Sequence, residues 1–147
     1  MTTIAYKDGI IAYDSRCTQG DVIVSDNHNK FFKSKNVKFV LAGDEPELET
    51  FIKYYFDHKS GEKILTKLIN FTCEGFIIDN KKLFVGQCSA EHGWSISKCN
   101  FDEHWALGSG SYYAIGAMDA GVTARAAVKI AKLRDTLTGG RIRSIKI

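Results

Sequence analysis

Short apolar runs separated by polar turns fill the first third of the chain. Strand-like runs rich in apolar residues cover 2–6 and 10–14, and Asp8-Gly9 stands between the two runs. An Asp-Gly pair between strand-like runs is a strong signal for a two-residue hairpin turn. The pattern therefore predicts a β-hairpin at the start of the chain. Short apolar pieces at 22–24 and 31–32 around a polar turn, together with a β-branched run over 37–42, predict two more strands.

After Gly43 the short apolar runs give way to apolar residues at helical spacing. Carboxylates surround Pro46, and acidic side chains and a proline are both favoured in the first turn of a helix. The apolar residues that follow recur at helical spacing, namely Leu48, Phe51, Ile52, Tyr55 and Phe56. We therefore predict a helix over 47–56, with its apolar residues as a contact face for other subunits. A second, shorter amphipathic helix is predicted over 61–70.

Strands resume in the second half and give way to helices. Strands are predicted over 74–78, 83–87 and 94–97, helices over 112–120 and 123–136, and a last strand over 142–147. Thr123 is the expected N-cap of the second of these helices. Strands and helices do not alternate one by one, so the order disfavours a parallel βαβ fold. It favours a single α+β domain over 1–147 with two antiparallel sheets flanked by helices.

Composition excludes several classes of protein. Apolar residues make up 44% of the chain and charged residues 25%, as in ordinary globular proteins, and the net charge of +3 is too small to indicate nucleic acid. No apolar run approaches the roughly 20 residues of a membrane span, and no signal peptide is recognisable. A cytoplasmic protein is expected. The four cysteines form no CxxC pair, and the four histidines are scattered, so we expect reduced thiols and no metal or other cofactor.

Thr2 is the first candidate for chemistry. Once Met1 is removed, its hydroxyl is a nucleophile and its own α-amine a nearby base. A threonine at this position is weak evidence alone, because most such residues only start a strand. A glycine-rich turn over 107–111 precedes a helix and could hold a phosphate, but it lacks the lysine and the spacing of a Walker motif.

Several motifs in a fixed order strengthen the interpretation. They are Thr2-Thr3-Ile4-Ala5, Gly9-Ile10-Ile11-Ala12-Tyr13-Asp14-Ser15-Arg16, Asn29-Lys30, Leu41-Ala42-Gly43, Leu107-Gly108-Ser109-Gly110-Ser111 and Ala117-Met118-Asp119-Ala120-Gly121. With these motifs the chain resembles the proteasome β-subunit and HslV peptidase family of N-terminal nucleophile hydrolases. The resemblance covers 2–140. It implies a four-layer αββα sandwich and hydrolysis of peptide bonds by a terminal threonine.

The resemblance also implies a role for individual residues. Thr2 would be the nucleophile and its amine the base, Lys30 would lower the pKa of that amine, and Asp14 would hold Lys30 in place. The Gly43 N–H would bind the oxyanion, since acyl transfer needs donors aimed at the developing charge. The remaining catalytic assignments are Ser109, Asp135 and Thr138. Taken separately, Asp14 and Lys30 would be interpreted as a surface ion pair.

The resemblance also implies how the chain binds substrate and assembles. The substrate-binding pocket would be lined by Cys17, Thr18, His28, Phe32, Leu41 and Glu45. Carboxylates at 44–45 replace the small residues of the family, which favours basic substrate side chains. The partners implied are peptide or unfolded protein substrates, further copies in a homo-oligomeric ring of about six or more subunits, and an ATPase unfoldase. Thr2 would be exposed by methionine aminopeptidase.

Two alternatives stay open. The chain could be a non-catalytic structural or regulatory subunit of a proteasome-like assembly, or an N-terminal nucleophile amidase acting on a small amide. Removal of Met1 separates the first alternative from a peptidase, because only catalysis requires the amine of Thr2.

Overall fold

The structure is a computed structural model that describes residues 2–147, and the predicted removal of Met1 lies outside these residues. In chain order the strands are β1 Thr3–Lys7, β2 Ile10–Tyr13, β3 Cys17–Gln19, β4 Val22–Ser25, β5 Phe31–Ser34, β6 Val37–Gly43, β7 Cys73–Asp79, β8 Lys82–Ser89, β9 Gly93–Cys99, β10 Trp105–Gly108 and β11 Arg143–Lys146. The α-helices are α1 Leu48–Lys59, α2 Ser111–Asp119 and α3 Ala124–Lys132, and Glu45–Glu47 and Thr66–Leu68 form 3₁₀ turns. The predicted α+β class with antiparallel sheets is confirmed.

Contacts along the chain group into two compact units. The first unit consists of Met1–Lys30 and Asn100–Ile147, and the second unit of Phe31–Cys99. Each unit contains a larger antiparallel sheet and at least one helix. The single domain over 1–147 stays a prediction.

The first unit has a four-stranded sheet in the order β10-β1-β2-β11. Its first hairpin has the predicted turn, because Asp8 and Gly9 both adopt positive φ, as a two-residue turn of the primed type requires. Helices α2 and α3 pack on this sheet through a core dominated by alanine. Such small side chains let helix and strand backbones approach closely. Thr123 caps α3 as predicted, accepting the Ala126 N–H at 3.2 Å.

The second unit is a five-stranded antiparallel meander in the order β5-β6-β7-β8-β9. Helix α1 packs against it through Leu48, Phe51 and Tyr55, and its core is rich in aromatic rings. Phe39 meets Tyr55 edge to face at 5.6 Å, and Phe51 meets Trp94 at 5.0 Å. Of the five apolar residues predicted to form a contact face, three lie in the core of this unit, whereas Ile52 and Phe56 are only partly buried. The contact face for other subunits stays a prediction.

The predicted helix over 61–70 is also wrong. The segment contains only the 3₁₀ turn Thr66–Leu68, and Leu65 and Leu68 are exposed. A helix this short needs a packed apolar face, since isolated helices of this length are marginal. The residues that do reach the core are Ile64 and Ile69. They stand five positions apart, a spacing that an α-helix would place on different faces.

The other differences from the predicted elements concern short strands and the end of one helix. Strands β3 and β4 form a third, two-stranded sheet, so the prediction of two sheets is incomplete. Strand β10 ends in the segment interpreted from sequence only as a glycine-rich turn, and it pairs with β1 about a hundred residues away. Helix α3 ends at Lys132, short of the predicted end at 136. Pairing partners this distant leave no local pattern in the sequence.

Candidate active site

The β1–β2 hairpin places Thr2 beside Asp14. The strands pair Ile4 with Tyr13, and the next pair in register is Thr3 with Asp14. The Asp14 N–H donates to the Thr3 carbonyl, and the Thr3 N–H donates to Asp14 Oδ1, both at 3.3 Å. Thr2 is 1% exposed and Asp14 is fully buried. The hairpin register therefore holds the Asp14 carboxylate beside Thr3, the residue that follows Thr2.

Asp14 is surrounded by donors. Its Oδ1 accepts from Lys30 Nζ at 2.7 Å and from the Thr3 N–H. Its Oδ2 accepts from the backbone N–H groups of Gly139 at 2.8 Å and Arg16 at 3.3 Å. A carboxylate offers about four acceptor positions, and here all are used. The buried charge is thereby compensated by one cation and three backbone dipoles.

Lys30 is 5% exposed, and it is the only buried lysine among residues 2–147. Its Nζ donates to Asp14, to the Arg16 carbonyl at 2.8 Å and to Thr2 Oγ1. Burial lowers the pKa of Lys30 below its ordinary value, although the Asp14 carboxylate opposes the shift. All three ammonium hydrogens are committed. An ammonium held against a hydroxyl oxygen stabilises negative charge that grows on that oxygen.

A chain of hydroxyl groups ends on Asp135, which follows α3. Thr138 Oγ1 and Ser109 Oγ donate to Asp135 Oδ2 at 2.5 and 2.6 Å. Thr3 Oγ1 lies 2.6 Å from Thr138 Oγ1, and Thr3 is then the donor, because Thr138 has used its hydrogen. Ser109 Oγ is also 3.4 Å from the Thr2 carbonyl. With its proton directed to Asp135, Ser109 presents lone pairs that can accept a proton or a hydrogen bond.

Gly108 allows the close approach of this turn to Thr2. Its φ is +91°, and a Cβ there would lie 1.8 Å from the Thr2 carbonyl oxygen. Both the backbone conformation and the contact exclude larger residues. Gly108 also pairs with Thr3 in the β10–β1 ladder. The glycine-rich turn therefore fits against the backbone of Thr2, a role that its sequence did not reveal.

The predicted oxyanion donor and part of the predicted pocket belong to the second unit. Gly43 ends β6 with φ +145°, and a Cβ on it would lie 2.3 Å from the Thr72 carbonyl oxygen. Phe32 packs on the core of that unit, Leu41 is buried within it, and Glu45 is exposed. In the first unit Cys17, Thr18 and His28 are half-buried. Of these three residues, Cys17 lies close enough to Lys30 to affect the pKa of Lys30.

Three contributors to the site escaped prediction from sequence. Thr3 extends the hydroxyl chain, Gly139 donates its N–H to Asp14, and Arg16 offers its carbonyl to Lys30. Two of the three act through backbone atoms, which leave no side-chain signal. The Arg16 guanidinium binds the Asp26 carboxylate at 2.8 and 3.1 Å and the Thr136 carbonyl at 3.0 Å. It thus joins β3 to the turn that contains Asp135.

Within residues 2–147, no group of three or more His, Cys, Asp or Glu side chains is arranged to hold a metal ion. Of the helices described, none is both long and apolar enough to cross a membrane.

The chain was compared with known proteins. No protein-family model and no curated protein sequence matches it. Among solved structures it is similar to Thiobacillus denitrificans BPH, with 20% identity, a TM-score of 0.67 and coverage of 99% of this chain and 96% of that chain. It is equally similar to the same protein in complex with epoxomicin, with 20% identity, a TM-score of 0.66 and coverage of 99% and 97%. At this identity the likeness concerns the fold alone.

Proposed function

We propose that the chain is a threonine peptidase that uses Thr2 as an N-terminal nucleophile. The observation that carries the proposal is the Lys30 ammonium, which is buried and hydrogen-bonded to both the Asp14 carboxylate and the Thr2 hydroxyl. A buried lysine beside a hydroxyl is costly to the fold and useful to a nucleophile. The family resemblance of the sequence assigns these same three residues to catalysis.

The steps use the side chains of Thr2, Lys30, Ser109 and Asp135, whose positions are described above, together with the α-amine of Thr2. Thr2 Oγ attacks the carbonyl carbon of a peptide bond, and its proton passes to the α-amine of Thr2. Lys30 stabilises the charge on the attacking oxygen, while Ser109, oriented by Asp135, accepts a hydrogen bond from the amine. Collapse of the tetrahedral intermediate gives an ester on Thr2 and releases the amine product, which takes the proton. Water activated by the same amine then hydrolyses the ester and regenerates the Thr2 hydroxyl.

The proposal includes features that stand on the resemblance. They are the oxyanion role of the Gly43 N–H, the four-layer αββα sandwich of the N-terminal nucleophile hydrolases, and a homo-oligomeric ring fed by an ATPase. In support of the sandwich, each unit contains a larger antiparallel sheet with at least one α-helix packed on it. The mechanism further requires that the bond before Thr2 be cleaved, since an amide nitrogen is no base.

Substitution of Thr2 tests the nucleophile. Thr2→Ala should abolish cleavage of a fluorogenic peptide without loss of the fold, because the mechanism loses its reacting oxygen. Thr2→Ser is the matched control, since it keeps both hydroxyl and amine and should stay active. Intact mass measures Met1 removal in all three proteins. Wild-type cleavage by Thr2→Ala rejects the peptidase, and an inert chain that retains Met1 favours the non-catalytic alternative.

A peptide epoxyketone provides a second readout. The reagent is chosen for its chemistry; one of the similar structures is a complex with epoxomicin. A 1,2-amino alcohol can add its hydroxyl to the ketone and open the epoxide with its amine, forming a ring with no leaving group. The intact mass of wild type should therefore rise by the whole mass of the reagent. Thr2→Ala and a chain with Met1 retained should form no such cyclic adduct.

A further inference from the structure

The second unit contains a pocket that the proposed peptidase does not use. It has a volume of about 460 Å³ and lies between the last turn of α1 and the strands β7 to β9. Phe84 and Ile96 form an apolar floor, and the lining includes three lysines, Lys59, Lys82 and Lys98. Apolar walls with a few convergent charged groups are typical of binding sites.

The positive charge of this basic pocket is only partly compensated. Asp79 is the carboxylate in its lining, and it accepts from Lys59 Nζ and from the Tyr55 hydroxyl, both at 2.6 Å. Within the described part of the chain, Lys82 and Lys98 make no ion pair. The pocket therefore keeps a net positive charge.

Strand register explains why these lysines share one face. Lys98 stands directly opposite Phe84 in the β8–β9 pair, and Lys82 precedes Phe84 by two residues. Side chains two apart on a strand, or opposite across a ladder, point to the same face. Lys59 ends α1, where the helix dipole favours a cation without any ligand. Lys82 stands opposite the Asp79 carboxylate in the β7–β8 pair and helps to lower the pKa of Asp79. Asp79 is thus shared between Lys59 and Lys82, and Lys98 adds an exposed positive charge to the same face.

The opposite end of α1 carries the complementary charge. Four carboxylates, Asp44, Glu45, Glu47 and Glu49, lie within a segment that also contains the exposed ring of Pro46. An apolar ring between carboxylates matches an apolar floor between ammonium groups. Asp44 accepts from the Thr72 N–H and Glu47 from the Thr50 hydroxyl, both at 3.1 Å, so part of the acidic charge already has partners within the unit. The twelve-residue helix separates the two ends by roughly 18 Å, so the acidic segment and the pocket do not contact each other within one unit.

We propose that this acidic segment, Asp44–Glu49, binds in the basic pocket of a second copy of the chain. Because the two surfaces differ, the contact either repeats head to tail or is made twice in an antiparallel pair. The proposal assigns the assembly contact to charges, where the sequence had suggested the apolar face of α1. The segment follows the proposed oxyanion donor Gly43 and includes Glu45, which the resemblance assigns to the substrate pocket. The test therefore uses Glu47 and Glu49 and measures association, so that it can fail independently of the proposed peptidase.

A pair of charge reversals gives a stringent test. The pocket variant is Lys82→Glu with Lys98→Glu, and the segment variant is Glu47→Lys with Glu49→Lys. Each alone should associate about tenfold or more weakly than wild type, because attraction becomes repulsion. An equimolar mixture should restore association, since every contact between unlike variants again joins opposite charges. Sedimentation velocity at micromolar concentration measures all three samples, and circular dichroism checks their folds.

The matched control is Lys33→Glu with Lys67→Glu, which makes the same charge change at exposed lysines outside the pocket. It should associate as wild type does. A monomeric wild type, variants that associate normally, or a mixture that stays dissociated would each overturn the proposal. So would wild-type association that is equal at low salt and at about 1 M salt, where surface charges are screened. If the pocket variant unfolds, Lys82→Gln with Lys98→Gln replaces it and should still weaken association.

Discussion

The two units bury different kinds of side chain. Within residues 2–147, all six buried polar or charged residues lie in the first unit, namely Thr2, Thr3, Asp14, Ser15, Lys30 and Thr138. The second unit buries aliphatic and aromatic side chains, with Phe39, Phe51 and Tyr55 at its centre. A buried polar group stabilises a fold only when it is fully hydrogen-bonded. We infer that the first unit is arranged for chemistry and the second for packing.

The largest expected effect comes from the buried cation. Lys30→Ala should reduce peptide cleavage by about a thousandfold or more, as loss of a strong electrostatic stabiliser does. The fold should survive, because Asp14 keeps three backbone donors. Lys30→Arg should rescue little, since a planar guanidinium does not fit the site of a compact ammonium.

Initial rates with a fluorogenic peptide and thermal unfolding separate activity from stability. Lys53→Ala in the second unit is the control, because that lysine is exposed and paired only with Asp57. Normal cleavage by both Lys30 variants would remove Lys30 from the mechanism. It would also erase the contrast between the two units.

In the second unit, substitutions in the packed core should have the largest effect on the free energy of unfolding. Phe51 is fully buried and meets Trp94, so Phe51→Ala should lower the free energy of unfolding by about 3–5 kcal/mol through lost contacts and a cavity. Denaturant titration followed by circular dichroism measures the change. Leu68→Ala, at a residue 65% exposed, should stay within about 0.5 kcal/mol of wild type. A Phe51→Ala loss below 1 kcal/mol would contradict the packing interpretation.

Gly108 tests whether the first unit depends on exact backbone position. Gly108→Ala should lower kcat by about a hundredfold, because its Cβ would displace the Thr2 carbonyl and a shift of about 1 Å costs that much. Gly121→Ala is the matched control, since φ is +103° at Gly121 but nothing lies within 4 Å of the added Cβ. Both variants share the backbone strain, and only the first should lose turnover. Equal kcat in the two would show that the clash does not reach the nucleophile.

The smallest effect concerns Asp79. Burial acts to raise its pKa, but hydrogen bonds from Lys59 and Tyr55 outweigh burial and hold the pKa below its ordinary value. The resulting stabilisation is present above the unfolded pKa and disappears as pH falls through the folded pKa. Asp79→Asn should therefore lose roughly 1 kcal/mol or less at neutral pH, because Lys59 is half exposed.

Unfolding titrations from about pH 6 to about pH 2 should show this stability difference shrinking. A difference that stays constant with pH would exclude an ionic origin.

The sequence by itself determined the features that depend on neighbouring residues. Asp8-Gly9 adopts the positive φ angles of its predicted turn, acidic residues and Pro46 precede α1, and Thr123 caps α3. Each depends on contacts within a few positions, where side-chain chemistry and backbone conformation are directly coupled. The order of these elements was sufficient to predict an α+β fold with antiparallel sheets.

The tertiary structure alone determined what joins distant residues. The pairing of β10 with β1, the irregular course of 61–70 and the Gly139 N–H on Asp14 depend on chain closure over long separations or on packing. The family resemblance selected Thr2, Asp14 and Lys30, and the structure places them in contact, while their catalytic roles stay predictions. A backbone N–H group is present in almost every residue, so no residue type marks the ones that become donors to a buried carboxylate. Their surroundings are defined only when the chain has folded, because a burial environment is a property of the whole fold.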